Sequence, residues 1–293
     1  MTNTPQISLP QHRYHPRQYR ENKFVYPVLS RRSKGISIGV NLNPDKVCNF
    51  DCIYCQVNRQ TQSETRFVEM DRLLGELDAM LPFVASGELF EVDTFQDIPA
   101  PLRRLNDIAF SGDGEPTTYR NFDAIMASVA AMKRHLQLDD VKMVLITNAS
   151  MFHRETVRRG LEILDANNGE IWAKLEAGSE AYFKLIDRTP IRFQQILDNI
   201  TAASIIRPIV IQSLFMNVNG TPPPPSEVAG FCLRLKEIID AGGQLKLVQI
   251  YTVARPPALN TVTALRNDQV DAIANQVTET TGLPTEVYSG AST

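Results

Sequence analysis

Three cysteines fall within eight residues of this chain: Cys48, Cys52 and Cys55, spaced Cys-x3-Cys-x2-Cys. Clustered thiols argue for a metal centre rather than for disulfides. Thiolates are soft ligands suited to iron–sulfur clusters, and these spacings let one compact loop wrap three corners of a cubane. A four-iron cluster with three local thiolates keeps one iron open. An amine and a carboxylate together can chelate that iron, and the methionine end of S-adenosylmethionine (SAM) offers such a pair. The competing reading is structural zinc, which wants four ligands. The four histidines, His12, His15, His135 and His153, all lie far along the chain from the cysteines. The fourth thiol, Cys232, shares a helical stripe with Val228, Phe231, Leu235 and Ile239 and reads as core.

Further downstream, Gly112-Asp113-Gly114-Glu115-Pro116-Thr117 forms a loop in which glycines permit close approach of backbone to a ligand. Its carbonyls and Glu115 are acceptors for an ammonium. Thr147 and Asn148 end an apolar run with a hydroxyl and an amide. Lys174 and Glu176 alternate with apolar neighbours, so a strand would turn both to one face. Charges on such a face are costly unless paired or functional. Arg255 follows another apolar run and can bind a carboxylate or phosphate bidentately, or clamp the C-terminal segment.

The elements that must position these residues repeat in order. Strand-like runs lie at 36–42, 107–110, 141–147, 171–176, 208–215 and 245–252. Helical patterns lie between them, at 69–85, 122–135, 154–165, 180–186 with 193–204, and 227–241. Strand then helix, six times, predicts parallel strands with right-handed crossovers. The expected fold is α/β, a partial (β/α)6 barrel with outer helices. A helix near 268–280 and a short strand at 286–288 finish it. Ligands in such folds collect at the C-terminal strand ends, where the residues above fall. Pro222–Pro225 reads as a stiff spacer leading to Ser226 as an N-cap.

The chain has 293 residues, 43% hydrophobic and 22% charged, with a net charge of −3. That is ordinary globular composition and gives no general nucleic-acid signature. No apolar run approaches a membrane span, and the N-terminus lacks a secretory pattern, so the expectation is a cytoplasmic protein without a membrane partner. Positive charge concentrates near the start: Arg13, Arg17, Arg20, Lys23, Arg31, Arg32 and Lys34 face one acid, Glu21, with Tyr14, Tyr19, Phe24 and Tyr26 interleaved. This predicts a basic arm at 1–34, either a solvated wrap or a contact for an anion such as RNA. The core is expected at 35–257 and a C-terminal helix and strand at 258–293.

Cys-x3-Cys-x-Tyr-Cys after a first strand resembles the signature of the radical SAM superfamily. The resemblance implies a 4Fe–4S cluster on Cys48, Cys52 and Cys55, Tyr54 against the adenine of SAM, the Gly112–Pro116 segment on its amino group, and Thr147 and Asn148 toward its ribose or carboxylate. Lys174 and Glu176 are expected to meet SAM or substrate. An electron donor such as flavodoxin or ferredoxin is implied, with SAM cleaved to a 5′-deoxyadenosyl radical. Asp113 departs from the simplest form of the motif, which has glycine there. Segments 26–41 and 251–257 are similar, with the two loops, to radical SAM proteins grouped with the wyosine-base synthases of tRNA. This sequence has only Cys232 outside the loop and no flavodoxin-like segment. Three functions remain open: modification of a tRNA or other RNA base, radical chemistry on a peptide or small molecule, and a non-catalytic iron–sulfur or SAM-binding protein. Neither the substrate nor the oligomeric state can be read from the sequence.

Overall fold

The structure is a computed structural model and describes residues 9–12, 17, 19–63, 65–255, 257 and 259–290. An eight-stranded sheet runs β1 (Val25–Ser30), β2 (Gly35–Val40), β3 (Leu105–Phe110), β4 (Lys142–Thr147), β5 (Gly169–Lys174), β6 (Ile209–Leu214), β8 (Leu245–Tyr251) and β10 (Thr285–Tyr288). β1 pairs antiparallel with β2, and every other neighbouring pair is parallel. β7 (Met216–Val218) and β9 (Val262–Ala264) form a separate antiparallel pair. Helices α1 (Met70–Ala85), α2 (Phe122–His135), α3 (Glu155–Asp165), α4 (Glu180–Asp187), α5 (Phe193–Ile206), α6 (Pro225–Asp240) and α7 (Asn267–Thr281) complete the order.

The six expected strands are all present, and β10 adds a seventh parallel strand. β2 and β6 are buried throughout, as strands covered on both faces must be. The main core fills the space between sheet and helices. A small second cluster of Ala109, Val144, Trp172 and Val210 fills the inside of the curl. Beneath it, Glu170 at the start of β5 joins Lys142 (3.2 Å) and Lys246 (2.5 Å), tying the lower ends of β4, β5 and β8.

The sheet curls until its two edges meet through side chains. Lys34 pairs with Glu286 at 3.0 Å. Arg31 donates to the Ser289 carbonyl at 2.9 Å. Arg32 lies over the rings of Tyr251 (4.3 Å) and Tyr288 (5.9 Å). The result is a half-barrel closed by a seam rather than by a hydrogen-bond ladder.

Two expectations change. The boundary at residue 34 falls in the turn of the β1–β2 hairpin, so the described part of 1–34 is no free arm. Its entry is fastened by the buried Glu76 carboxylate, which accepts from the backbone N–H groups of Lys23, Phe24 and Val25 at 2.8–3.1 Å. Charge hid this strand, because the arginines sit in its turn while Val25, Tyr26 and Leu29 are buried. Arg13 lies outside the described residues. The other correction is at α6, where Pro225 is the first helical residue and Pro224, not Ser226, is the N-cap. A proline lacks the N–H that is orphaned at that position in any case.

Candidate active site

A cleft of about 330 Å³ opens at the C-terminal ends of the strands. Cys48, Cys52, Tyr54 and Cys55 line one wall, and Gly112–Glu115, Asn148, Lys174 and Glu176 line it from the strand ends. The sequence-predicted set thus converges, with two exceptions. Thr147 is 1% exposed, and its hydroxyl donates to Glu115 at 2.6 Å and accepts from Ala149 N. Pro116 opens a short helical turn behind the loop. Neither reaches the cleft wall.

The cysteine loop is held by polar contacts from three neighbouring segments. Asp51 and Ile53 N–H donate to the carbonyls of Asp187 and Ile186 at the end of α4, at 3.1 and 2.8 Å. Asn49 donates to Ser150 Oγ at 2.7 Å and accepts from Asn148 at 2.9 Å, joining the loop to the end of β4. Thr189 donates to the Asn49 carbonyl at 2.9 Å. All three thiols are free. Burial raises the Cys48 thiol, and raises Cys52 well above its ordinary range with the carboxylate of Asp187 adding to it.

The Gly112–Glu115 loop sits against this one. Gly112 has φ 157°, and a Cβ there would strike Asn41. A Cβ on Gly114 would strike the Val47 carbonyl, next to Cys48. Only glycine allows the two loops to lie this close. Asp113 is bound by Asn41 Nδ2 at 2.7 Å and forms an ion pair with Arg17, which accounts for an acid where glycine was expected.

Glu115 is 3% exposed, and its oxygens already accept four hydrogen bonds. Oε1 takes Thr117 N (3.1 Å), Thr117 Oγ1 (2.5 Å) and Thr147 Oγ1 (2.6 Å), and Oε2 takes Asn148 N (2.7 Å). This carboxylate fastens its loop to the end of β4. That is a different task from the ammonium contact expected of it.

Trp172, Lys174 and Glu176 all line the cleft, as the period of two requires. Lys174 Nζ lies 5.2 Å from the Tyr54 ring centroid. Burial alone would lower its pKa, but Tyr251, Glu176 and the thiols of Cys52 and Cys55 outweigh that and keep the ammonium charged. Glu176 is pushed up by burial and by Asp187, against the pull of Lys174. Its Oε1 is buried without a partner. Asp187 is raised by burial too, and receives Tyr54 Oη at 3.4 Å.

These side chains fit the groups that the sequence implies. Among the described residues, no His, Cys, Asp and Glu set converges as the ligands of a single ion would. Three thiols along one loop suit a cluster, whose ligands sit on separate irons. The partnerless Glu176 oxygen is an acceptor waiting for a donor such as an ammonium or a ribose hydroxyl. Asn41, Asn49 and Asp187 were not singled out from the sequence. The two asparagines lie in the cysteine loop segment and could have been weighed. Asp187, at a helix end, carries no motif.

Comparison with known proteins gives the same picture. Residues 42–219 match the family model described as the Radical SAM superfamily. Among curated proteins, the chain is 28% identical over 165 residues to a protein named GTPase Obg of Brachyspira hyodysenteriae, covering 55% of this chain and 20% of that one. It is 29% identical over 168 residues to a UPF0026 protein of Methanocaldococcus jannaschii (55% and 43%) and 25% identical over 240 residues to one of Helicobacter pylori (78% and 66%). The chain therefore spans from a fifth to just under two thirds of these relatives. A solved radical SAM methyltransferase from Sphaerobacter thermophilus superposes with TM-score 0.61 at 14% identity, over 91% of this chain and 69% of that one. A structure of TYW1 with a lysine–pyruvate adduct bound superposes with TM-score 0.50 at 16% identity, over 84% and 74%. At such identities the likeness to the solved structures is one of fold. No described helix is long and apolar enough to cross a membrane.

Proposed function

The chain belongs to the radical SAM superfamily, and on that premise we propose that it reductively cleaves SAM in the half-barrel cleft to act on a substrate held beside it. The observation that carries this reading is the convergence of Cys48, Cys52 and Cys55 with the partnerless Glu176 oxygen in one cleft. When bound, a 4Fe–4S cluster held by the three thiolates would pass one electron to SAM, cleaving its sulfonium–C5′ bond to methionine and a 5′-deoxyadenosyl radical that takes hydrogen from substrate.

The chain's own residues have defined tasks. Cys48, Cys52 and Cys55 ligate the cluster. Glu176 and Asp187 offer acceptors to the ammonium and hydroxyls of SAM, and Lys174 offers a cation to its carboxylate. Gly112 and Gly114 bring backbone up to the ligand, held there by Glu115. Tyr54, at 5% exposure, presents a flat wall. The inner cluster of Ala109, Val144, Trp172 and Val210 makes a dry floor, which keeps water from the reacting centre. An electron donor of the flavodoxin or ferredoxin class completes the reaction, in the cytoplasm.

For the substrate, the placement of the N-terminal cations matters. Arg17, Arg31 and Arg32 line the cleft rather than an outer surface. Arg20 is stacked on Tyr19 and Phe83, and Lys34 is paired with Glu286. This placement supports a substrate that carries its own anion into the barrel. A tRNA base remains one candidate of that kind, and a charged small molecule or peptide is another.

The test is anaerobic reconstitution followed by reduction with dithionite. Wild type should bind about four irons per chain, absorb near 400 nm as such clusters do, and release 5′-deoxyadenosine from SAM. Cys52→Ala should do none of these. A reconstituted wild type that binds SAM but never cleaves it would replace the proposal with a non-catalytic iron–sulfur protein.

A further inference from the structure

The cleft is electrically divided. Glu115, Glu176 and Asp187 stand on the side of the cysteine loop and the ends of β3 to β5, with the cations Lys174 and Arg59 among them. Arg31, Arg32 and Arg255 stand at the seam, where the β1–β2 turn meets the ends of β8 and β10. Arg17 completes the basic side but has Asp113 as its partner. Among the described residues, Arg31, Arg32 and Arg255 have no carboxylate within ion-pair distance. Arg31 donates to a carbonyl, and Arg32 rests on Tyr251 with its buried Nε unpartnered. Burial and then the repulsion of Arg17 and Arg32 lower Arg255 to about 10. Burial followed by Arg32 also lowers Arg31.

SAM cannot supply the missing charge. Its sulfonium, ammonium and carboxylate sum to about one positive charge, and its single carboxylate already has Lys174 on the other side. Three guanidiniums without a carboxylate partner on one side of the cleft ask for a compact anion of more than one charge. A phosphate monoester carries about −1.5 to −2 at pH 7 and three acceptor oxygens, and guanidinium forks match those oxygens two at a time. A nucleic-acid backbone phosphate is a diester with a single charge, and a lone carboxylate has one charge as well.

We propose that Arg31, Arg32 and Arg255 form a substrate subsite that binds a phosphate monoester, which places the substrate's reacting carbon inside the half-barrel. The subsite has a matching approach. A second cleft of about 460 Å³ shares Arg17, Asp113 and Arg255 with the first and adds Lys23 and Lys46, with Asp113 as its one acid among the described residues. An anion entering there meets cations along its path, which raises its local concentration. The proposal rests on the radical SAM reading of the cleft, but its test does not need SAM cleavage.

The experiment is isothermal titration of inorganic phosphate into cluster-reconstituted wild type, Arg32→Gln, Arg255→Gln and Arg255→Lys at fixed ionic strength. SAM is titrated into each protein separately. A charge-assisted contact predicts about a 10- to 150-fold loss of phosphate affinity in each Gln variant. Arg255→Lys keeps the charge and loses the fork, so its loss should be smaller. SAM affinity should stay within about threefold in all variants that bind the cluster. Phosphate affinity indifferent to the substitutions would overturn the proposal, as would SAM affinity falling in step with it, since the arginines would then serve the SAM carboxylate. Bulk tRNA provides the second arm. If tRNA binds more tightly than phosphate and loses the same factor in the variants, the anion is a polynucleotide backbone and the monoester assignment fails. If only radical cleavage fails while phosphate binding follows the arginines, the subsite stands and the catalytic reading does not.

Discussion

Replacing Glu115 by Ala should damage the protein before any cofactor is added. The carboxylate is 3% exposed and accepts from Thr117 N, Thr117 Oγ1, Thr147 Oγ1 and Asn148 N. Hydroxyls can turn to new partners, but the N–H groups of Thr117 and Asn148 are fixed by the backbone. Each buried donor left unsatisfied costs about 1–3 kcal/mol. Two of them give about 2–6 kcal/mol, less whatever an entering water recovers, so about 3 kcal/mol is the working figure. For a chain of 293 residues that is a fall in Tm of about 5 °C. The assay is a thermal melt of the apo protein followed by circular dichroism. Glu115→Gln keeps the shape but turns an NH2 toward one of the donors, and should fall between Ala and wild type. SAM affinity in Glu115→Ala should drop as well, because the Gly112–Gly114 backbone loses its anchor. A Tm within about 2 °C of wild type together with weakened SAM binding would refute the reasoning and return Glu115 to the role of direct ammonium acceptor.

Two further outcomes follow from the same structure. Gly114→Ala should lower iron content per chain and SAM affinity, since a Cβ would press on the Val47 carbonyl beside Cys48; Gly75→Ala, on α1 with open space around it, should bind iron as wild type does and gain up to about 1 kcal/mol. Asp107 is buried beside Ser37, and burial raises its pKa from 3.8 to about 6. The folded state therefore holds this proton more tightly than the unfolded state, so the contribution to stability is complete below about pH 4 and lost as pH rises through about 6. At about 1.4 kcal/mol per unit the loss reaches up to about 3 kcal/mol. Asp107→Asn should remove it: the stability difference between variant and wild type should shift in the variant's favour from pH 4 to pH 7 in denaturant melts, and a constant difference would show that the carboxyl titrates alike in both states.

Much of the half-barrel was legible because its signals are local. Continuous apolar runs marked β2 to β6 and β8 within one or two residues, and amphipathic stripes marked the helices. The cysteine spacing and the Lys174–Glu176 alternation point to the strand ends, where the cleft lies. What escaped was set by partners distant in sequence. β1 was hidden by the arginines around it, and only its pairing with β2 and the Glu76 clamp 51 to 53 residues away make it a strand. Thr147 carries a hydroxyl at a strand end and so reads as a ligand contact, yet it faces Glu115, 32 residues upstream. Asp187 enters the cleft only because α4 ends against the cysteine loop. No spacing rule contains that information.

The seam explains why the arginines could be both structural and functional. β1 and β10 carry no hydrogen-bond ladder between them, so what joins the edges of the sheet is Lys34 with Glu286, Arg31 with Ser289 and Arg32 with Tyr288. Surface pairs such as Lys34–Glu286 contribute little. Arg31 and Arg32 therefore hold the closure chiefly through a carbonyl contact and ring stacking, which leave their charge uncompensated. An anion bound there would neutralise that charge at the point where the sheet edges meet. Binding would then tighten the wall opposite the cysteine loop, and the free energy that fixes the substrate would also narrow the cleft in which hydrogen abstraction takes place. On that proposal, two of the three arginines of the anion subsite, Arg31 and Arg32, are also the side chains that join the edges of the sheet.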